Sequence, residues 1–128
     1  MDCIFCKIVK GESPSYTIYE DDMVKVFLNI APKSNGHALV IPKQHFENMY
    51  DIDIEVQKHI EDVCKKVGNL LKEKLHCTGV TRIQNNEHGQ EIKHYHMHLI
   101  PRYDNDKLDF SLNLENEMLE PEEVFKKF

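Results

Sequence analysis

Two hydrophobic periods run through the chain. From Ile54 to Leu75, the residues Val56, Ile60, Val63, Cys64, Val67, Leu70, Leu71 and Leu75 recur at spacings of three and four, with Lys58, Glu61, Asp62, Lys65, Lys66 and Lys72 between them. That stripe predicts one long amphipathic helix whose apolar face lies in a core. Asp51 or Asp53 suits its N-cap, and Glu55 its first turn. A shorter stripe of Ile4, Phe5, Ile8 and Val9 stops at Gly11 and predicts a helix over Ile4 to Lys10. Elsewhere the runs are β-prone: Thr17 to Tyr19 and Val24 to Leu28, joined by Glu20-Asp21-Asp22-Met23 as a hairpin, and Val80 to Gln84 after Gly79. His37 to Ile41 is another strand, entered through the turn-rich Ala31-Pro32-Lys33-Ser34-Asn35-Gly36 and stopped by Pro42. Near the end, Pro121-Glu122-Glu123 suits the first turn of a short helix through Phe128.

The sharpest alternation lies in His94-Tyr95-His96-Met97-His98-Leu99-Ile100-Pro101-Arg102. Period two is the pattern of a half-buried strand, so the three imidazoles should share one face while Tyr95, Met97 and Leu99 face the core. Neighbouring imidazoles on a strand lie roughly 6.6 Å apart, close enough to converge on one small group. Imidazole acts as nucleophile, acid, base or metal ligand near neutral pH, so the row suits either chemistry around a phosphate or a metal.

Size and composition narrow the field. With 128 residues the chain reads as one domain over 1–128, large enough to fold without disulfide staples. The net charge is −6, and from Asp104 onward eight acids face three bases, so the acidic tail carries most of it. No block of Lys and Arg with interleaved aromatics is present, which speaks against a nucleic-acid groove or an anionic membrane surface. No apolar run approaches transmembrane length and no leader-like start is seen, so a cytoplasmic location is expected. Of the cysteines Cys3, Cys6, Cys64 and Cys77, the first two have a recognised spacing, flanking the first helical turn. Such a pair fits two thiolates of a tetrahedral zinc completed by histidines, a redox dithiol, or plain thiols. Cys64 falls on the helix stripe and reads as a small buried hydrophobe.

The segment His94 to Ile100 resembles the signature of the histidine triad (HIT) family, His-x-His-x-His followed by apolar residues. Phe27 to His45 is similar too: a polar residue at a strand end, a proline-containing loop, Gly-His, an apolar strand and Pro-Lys-x-His. The resemblance implies a homodimeric α+β fold, here an antiparallel sheet of about five strands with one long helix and short terminal helices. It implies binding of a purine nucleotide or nucleotide conjugate, with Asn29 holding ribose hydroxyls, Asn85 and Gln90 touching phosphate or sugar oxygens, and His37 lying near the triad. In zinc-containing branches the N-terminal pair is joined by two histidines, so Cys3, Cys6, His45 and His94 would hold a structural zinc. Two departures stand out. The loop between Asn86 and Gly89 is shorter than is common, leaving Asn85 or Asn86 as the equivalent. Glu91 stands where relatives carry Ser or Thr, and its carboxylate would repel a phosphate. Either it points away or the substrate brings a cationic leaving group; Lys93 is a nearby partner for it.

By the same resemblance His96 attacks the α-phosphorus of a nucleoside phosphoramidate or dinucleoside polyphosphate. A covalent nucleotidyl intermediate forms, His98 stabilises the developing charge, and no catalytic metal is required. Two rival readings stay open: a metal-dependent hydrolase using the triad as zinc ligands, and a non-catalytic nucleotide-binding module.

Overall fold

The computed structural model describes residues 2–110 and 116–128; the stretch of the acidic tail at 111–115 lies outside the described residues. Among the described residues, no helix is long and apolar enough to cross a membrane. The order of elements is α1 (Ile4–Val9), β1 (Thr17–Glu20), β2 (Val24–Leu28), β3 (Ala38–Pro42), α2 (Ile54–Leu75), β4 (Gly79–Ile83), β5 (Met97–Arg102) and α3 (Pro121–Phe125). The strands form one antiparallel sheet in the order β1-β2-β3-β5-β4. The long helix spans the residues its stripe predicts. Asp53 is its N-cap but makes no side-chain capping bond. Asp51 instead accepts from the backbone N–H groups of Glu47 at 3.0 Å and Asn48 at 2.9 Å, closing the preceding turn.

Strand alternation divides the core between the two faces of the sheet. Val24, Val26, Ala38, Val40, Met97 and Leu99 pack with Ile60, Val63, Val67 and Leu71 of α2. Each Val, Leu, Ile or Met among them contributes about 1.5–3 kcal/mol on burial. On the opposite face Phe27, Leu39 and Ile41 meet Cys3, Phe5 and Ile8 from α1. Because both faces are covered, every residue of β3 is buried, which explains its unbroken apolar run. The register sets Phe27 opposite Leu39, Leu39 opposite His98, and His98 opposite Ile83. These four side chains therefore form a row across four strands on the α1 side.

The triad strand is shorter than the alternation predicts. Its ladder begins at Met97, and His94, Tyr95 and His96 precede it. Two boundary effects account for this. β4 has ended at Ile83, and β3 stops at Pro42, which has no N–H to donate. Tyr95 instead donates its N–H to Phe46 O at 2.7 Å, which keeps the alternation without a strand partner. Tyr95 stays buried in the α2-side core, as the period required.

The turn delivering His37 is tightly set. Gly36 has φ +91°, and a Cβ there would collide with Leu75 Cδ1 and come within 3.2 Å of Pro101 Cγ. Glycine alone satisfies both the left-handed backbone and the close approach. Ser34 Oγ donates to Pro101 O at 2.7 Å, pinning this loop to β5.

Candidate active site and metal centre

The cross-strand row floors a cavity of about 720 Å³, walled by Ile4, Phe5 and Ile8 of α1 and by the loop carrying Asn29, Ala31 and Lys33. A volume of this size suits a small-molecule ligand, and its mainly apolar walls with a few polar groups are typical of one. His37, His96 and His98 all line it. His94 does not; its side chain is fully buried and turned towards the N-terminal cysteines.

The hydrogen bonds assign a tautomer to His37 and to each histidine of the triad. His94 Nε2 lies 2.9 Å from Pro42 O, an acceptor only, so Nε2 carries the proton and Nδ1 is bare. His96 Nδ1 lies 2.8 Å from His94 O, so Nδ1–H donates and Nε2 keeps its lone pair. His98 is assigned at one remove. The backbone N–H of Lys33 donates to His37 Nδ1 at 3.0 Å, which places the His37 proton on Nε2. That Nε2–H then donates to His98 Nδ1 at 2.9 Å, leaving His98 with an Nε2–H donor. One imidazole with a free lone pair thus stands beside one with a free N–H, their ring centres 5.0 Å apart.

Burial keeps this set neutral. It pushes His37 down to about 4, with the Lys33 ammonium adding to the effect. Burial, with His96, His37 and Lys33 nearby, brings His98 to about 4. His96 is also lowered by burial, against opposing contributions from the His94 carbonyl and the Glu91 charge. The consequence for stability has a definite sign. Between about 4 and the ordinary 6.5, the unfolded chain binds protons at His37 and His98 that the folded chain refuses, so stability rises with pH through that window. The contribution is complete above 6.5 and is lost as the pH falls towards 4. Urea midpoints measured at pH 7 and pH 5 are expected to show a less stable protein at pH 5, with a smaller drop in His37→Gln. Equal drops in both proteins would contradict the neutral pair.

Behind the cavity, Cys3, Cys6, His45 and His94 bring four ligand atoms within 4.8 Å of one another. Cys3 Sγ is 3.4 Å from His94 Nδ1, Cys6 Sγ is 3.6 Å from the same atom and 3.3 Å from His45 Nδ1, and the two Nδ1 atoms are 3.1 Å apart. Tetrahedral zinc with ordinary Zn–S and Zn–N bonds needs edges of about 3.3–3.8 Å, and these four edges lie in or within a few tenths of an ångström of that range, so the donor set suits a closed four-coordinate site. The bare Nδ1 of His94 is the form a metal requires, and its Nε2 bond to Pro42 O fixes the ring. Burial, reinforced by Cys3, pushes the Cys6 thiol up, so binding a cation here displaces protons. Phe5, between the two cysteines, meets the rings of His94 and His96 edge-on at 5.8 and 5.2 Å.

The remaining polar residues divide cleanly. Asn29 and Asn85 line the cavity. Asn29 Oδ1 accepts from Ala31 N at 2.9 Å. Asn86 is engaged elsewhere: its Oδ1 accepts from Met49 N and Gln84 Nε2 at 2.8 Å each. Of the two, Asn85 is therefore the one facing the cavity. Gln90 lies away from the cavity walls and is buried. Its Nε2 donates to Glu47 O at 2.6 Å and Ile92 O at 3.0 Å, and its Oε1 accepts from Glu87 N and Asn48 Nδ2 at 3.0 and 3.5 Å. Both donors and both lone pairs are used, so as placed it ties loops together and has no capacity left for phosphate or sugar. Glu91 lines the cavity, and Lys93 does not pair with it, its ammonium lying 3.4 Å from Glu87 O. Sequence patterning did not single out Phe5, Ile8 or Lys33 as cavity residues. A helix stripe looks the same whether it only packs on a sheet or also walls a pocket, and the donor on Lys33 is backbone.

Comparison with known proteins places the chain and its fold. The HIT domain model matches residues 10–105. An uncharacterized HIT-like protein of Borreliella burgdorferi is 45% identical over 125 residues, covering 91% of this chain and 89% of its own. The adenosine 5′-monophosphoramidase of Schizosaccharomyces pombe is 36% identical, covering 97% and 91%. The adenylylsulfatase of Arabidopsis thaliana is 38% identical, covering 92% and 61%. Among solved structures, a HIT family protein of Bacillus subtilis superimposes with TM-score 0.86 at 36% identity, covering 99% and 92%. A zinc-bound histidine triad family protein of Mycobacterium smegmatis does so with TM-score 0.82 at 35% identity, covering 90% and 85%. Domain match, fold and the arrangement of the three histidines converge on one conclusion: the chain belongs to the histidine triad, or HIT, family.

Proposed function

We propose that this chain cleaves a purine nucleotide conjugate, a nucleoside phosphoramidate or a dinucleoside polyphosphate, at its α-phosphorus and releases a nucleoside monophosphate. The observation that carries this reading is the pairing of a neutral His96, its Nδ1 proton held by the His94 carbonyl, with a His98 that offers Nε2–H to the same cavity. The lone pair on His96 Nε2 attacks phosphorus in line, the bond to the leaving group breaks, and the leaving group keeps that electron pair. His98 Nε2–H hydrogen-bonds a phosphate oxygen as charge gathers there. Water then attacks phosphorus, the P–N bond breaks, His96 regains its lone pair, and the proton that water gives up balances the one an amine leaving group takes from solvent as it departs. Asn29 would hold the ribose hydroxyls, Asn85 would face the phosphate or sugar, and His37 would orient His98.

Cys3, Cys6, His45 and His94 would hold zinc, which when bound cross-links the N-terminal segment to the loops beside the triad. This assignment leaves His96 and His98 outside the donor group, which favours histidine attack over a zinc-activated water. The names of the phosphoramidase and adenylylsulfatase relatives support an adenine nucleotide. A homodimer in the cytoplasm completes the reading, on family resemblance.

The test is nucleoside monophosphate release from adenosine 5′-phosphoramidate and from a diadenosine polyphosphate, each assayed with a chelator freshly added. Turnover of at least one substrate is expected to survive the chelator while the protein stays folded. Turnover that disappears at once and returns with zinc would point to a catalytic metal. Nucleotide binding with no release would point to a binding module.

A further inference from the structure

We propose that Glu91 selects among leaving groups, favouring conjugates that carry a positive charge just beyond the scissile bond over those whose leaving group is a chain of phosphates. This rests on reading the cavity as a site of cleavage at the α-phosphorus. It names the branch of substrates that site prefers.

Three observations carry it. Glu91 is exposed and borders two spaces at once: the main cavity holding His96 and His98, and a smaller groove of about 510 Å³ on the metal-centre side. Ile4 and Ile92 are the other residues shared by the two, so Glu91 stands at the boundary between them. Second, the cations that border the groove are turned to other partners. The Lys7 ammonium sits 3.0 Å from Asp2 Oδ1, and that of Lys93 lies near the Glu87 carbonyl. Among the described residues, no ion pair to the Glu91 carboxylate is formed. Third, the cavity is electrically polarised. Lys33 places a positive charge on the side of His37 and His98, where the phosphate oxygens belong, and the Glu91 charge reaches His96.

A phosphate held by His98 therefore has a cation on one flank and an unpaired carboxylate on the other. A leaving group that runs past Ile4 and Ile92 into the groove passes Glu91. A polyphosphate would bring negative charge against it, whereas an ammonium there would be attracted. Unit charges about 6 Å apart differ by roughly tenfold in binding constant between attraction and no charge at an effective dielectric of about 40, as suits an exposed carboxylate partly screened by water, and salt screens the effect further.

Two adenosine 5′-phosphoramidates of equal length separate the outcomes, one N-substituted with 2-aminoethyl and the other with n-propyl. Their affinities for His96→Asn are measured by calorimetry at low salt, so that turnover plays no part in the result. The aminoethyl conjugate is expected to bind about tenfold more tightly. That ratio should fall towards one in His96→Asn/Glu91→Gln, and in 1 M salt. A ratio unchanged by Glu91→Gln, or a ratio near one with Glu91 present, overturns the proposal. Wild-type release of nucleoside monophosphate from the same pair is assayed alongside. No release from either conjugate, nor from a diadenosine polyphosphate, with the affinity ratio intact would sustain the charge contact of Glu91 and overturn the hydrolytic reading instead.

Discussion

Exchanging His96 for Asn is expected to reduce turnover by on the order of 10⁴-fold or more while leaving the domain folded. Removing a nucleophile abolishes the covalent route and leaves only binding and charge stabilisation, which is why losses of this size follow such substitutions. Asn is the informative replacement. Its amide can still donate to the His94 carbonyl, the bond His96 Nδ1–H makes at 2.8 Å, but it has no lone pair fit to attack phosphorus. The packing loss is small, because His96 lies at the cavity wall rather than in the α2-side core. Thermal melting should therefore stay within a few degrees of wild type, on the scale of about 1 kcal/mol. A His96→Asn protein that turns over at a tenth of the wild-type rate would remove the covalent scheme.

The second large effect concerns the metal centre. Cys3→Ser is expected to lose bound zinc and to lower the melting temperature by on the order of 10 °C, since the binding free energy of a structural metal is folding free energy. The structure gives this loss a location. Cys3 caps α1 by accepting from Cys6 N–H at 3.3 Å, and α1 supplies Phe5 and Ile8 to the core on the cavity side of the sheet. Releasing the cysteines loosens that wall, and with it the edge contacts of Phe5 on His94 and His96. Metal analysis paired with melting curves checks both parts. One zinc per chain retained in Cys3→Ser would refute the ligand assignment.

Much of this arrangement was legible in the residues themselves, for reasons that differ by element. The long helix was readable to its ends because a stripe of that length has no competing period. The alternation around the triad correctly put Tyr95, Met97 and Leu99 on the α2 face, yet overstated the strand. Pattern reports which face a side chain takes; it does not report that Pro42 removes the ladder partner of the residues before Met97. The four candidate metal donors needed the family resemblance, since Cys3 and Cys6 are separated from His45 and His94 by long stretches of chain and nothing local marks their meeting. Gln90 shows the opposite limit. A glutamine in a polar turn looks like a ligand contact until the carbonyls of Glu47 and Ile92 are seen to take both of its protons. The chain of donors from Lys33 N–H through His37 to His98 was beyond reach of any motif, because it begins at a backbone atom.

On the proposed mechanism His96 becomes covalently attached to the nucleotide. The most direct test of this is rapid-quench mass spectrometry of wild-type protein mixed with an adenosine 5′-phosphoramidate, followed by peptide mapping. A transient adduct of one adenylyl group on the peptide containing His96, absent from His96→Asn, is the expected result. Steady turnover with no adduct at any quench time, and with a step resolved as water attacking the bound substrate directly, would contradict it.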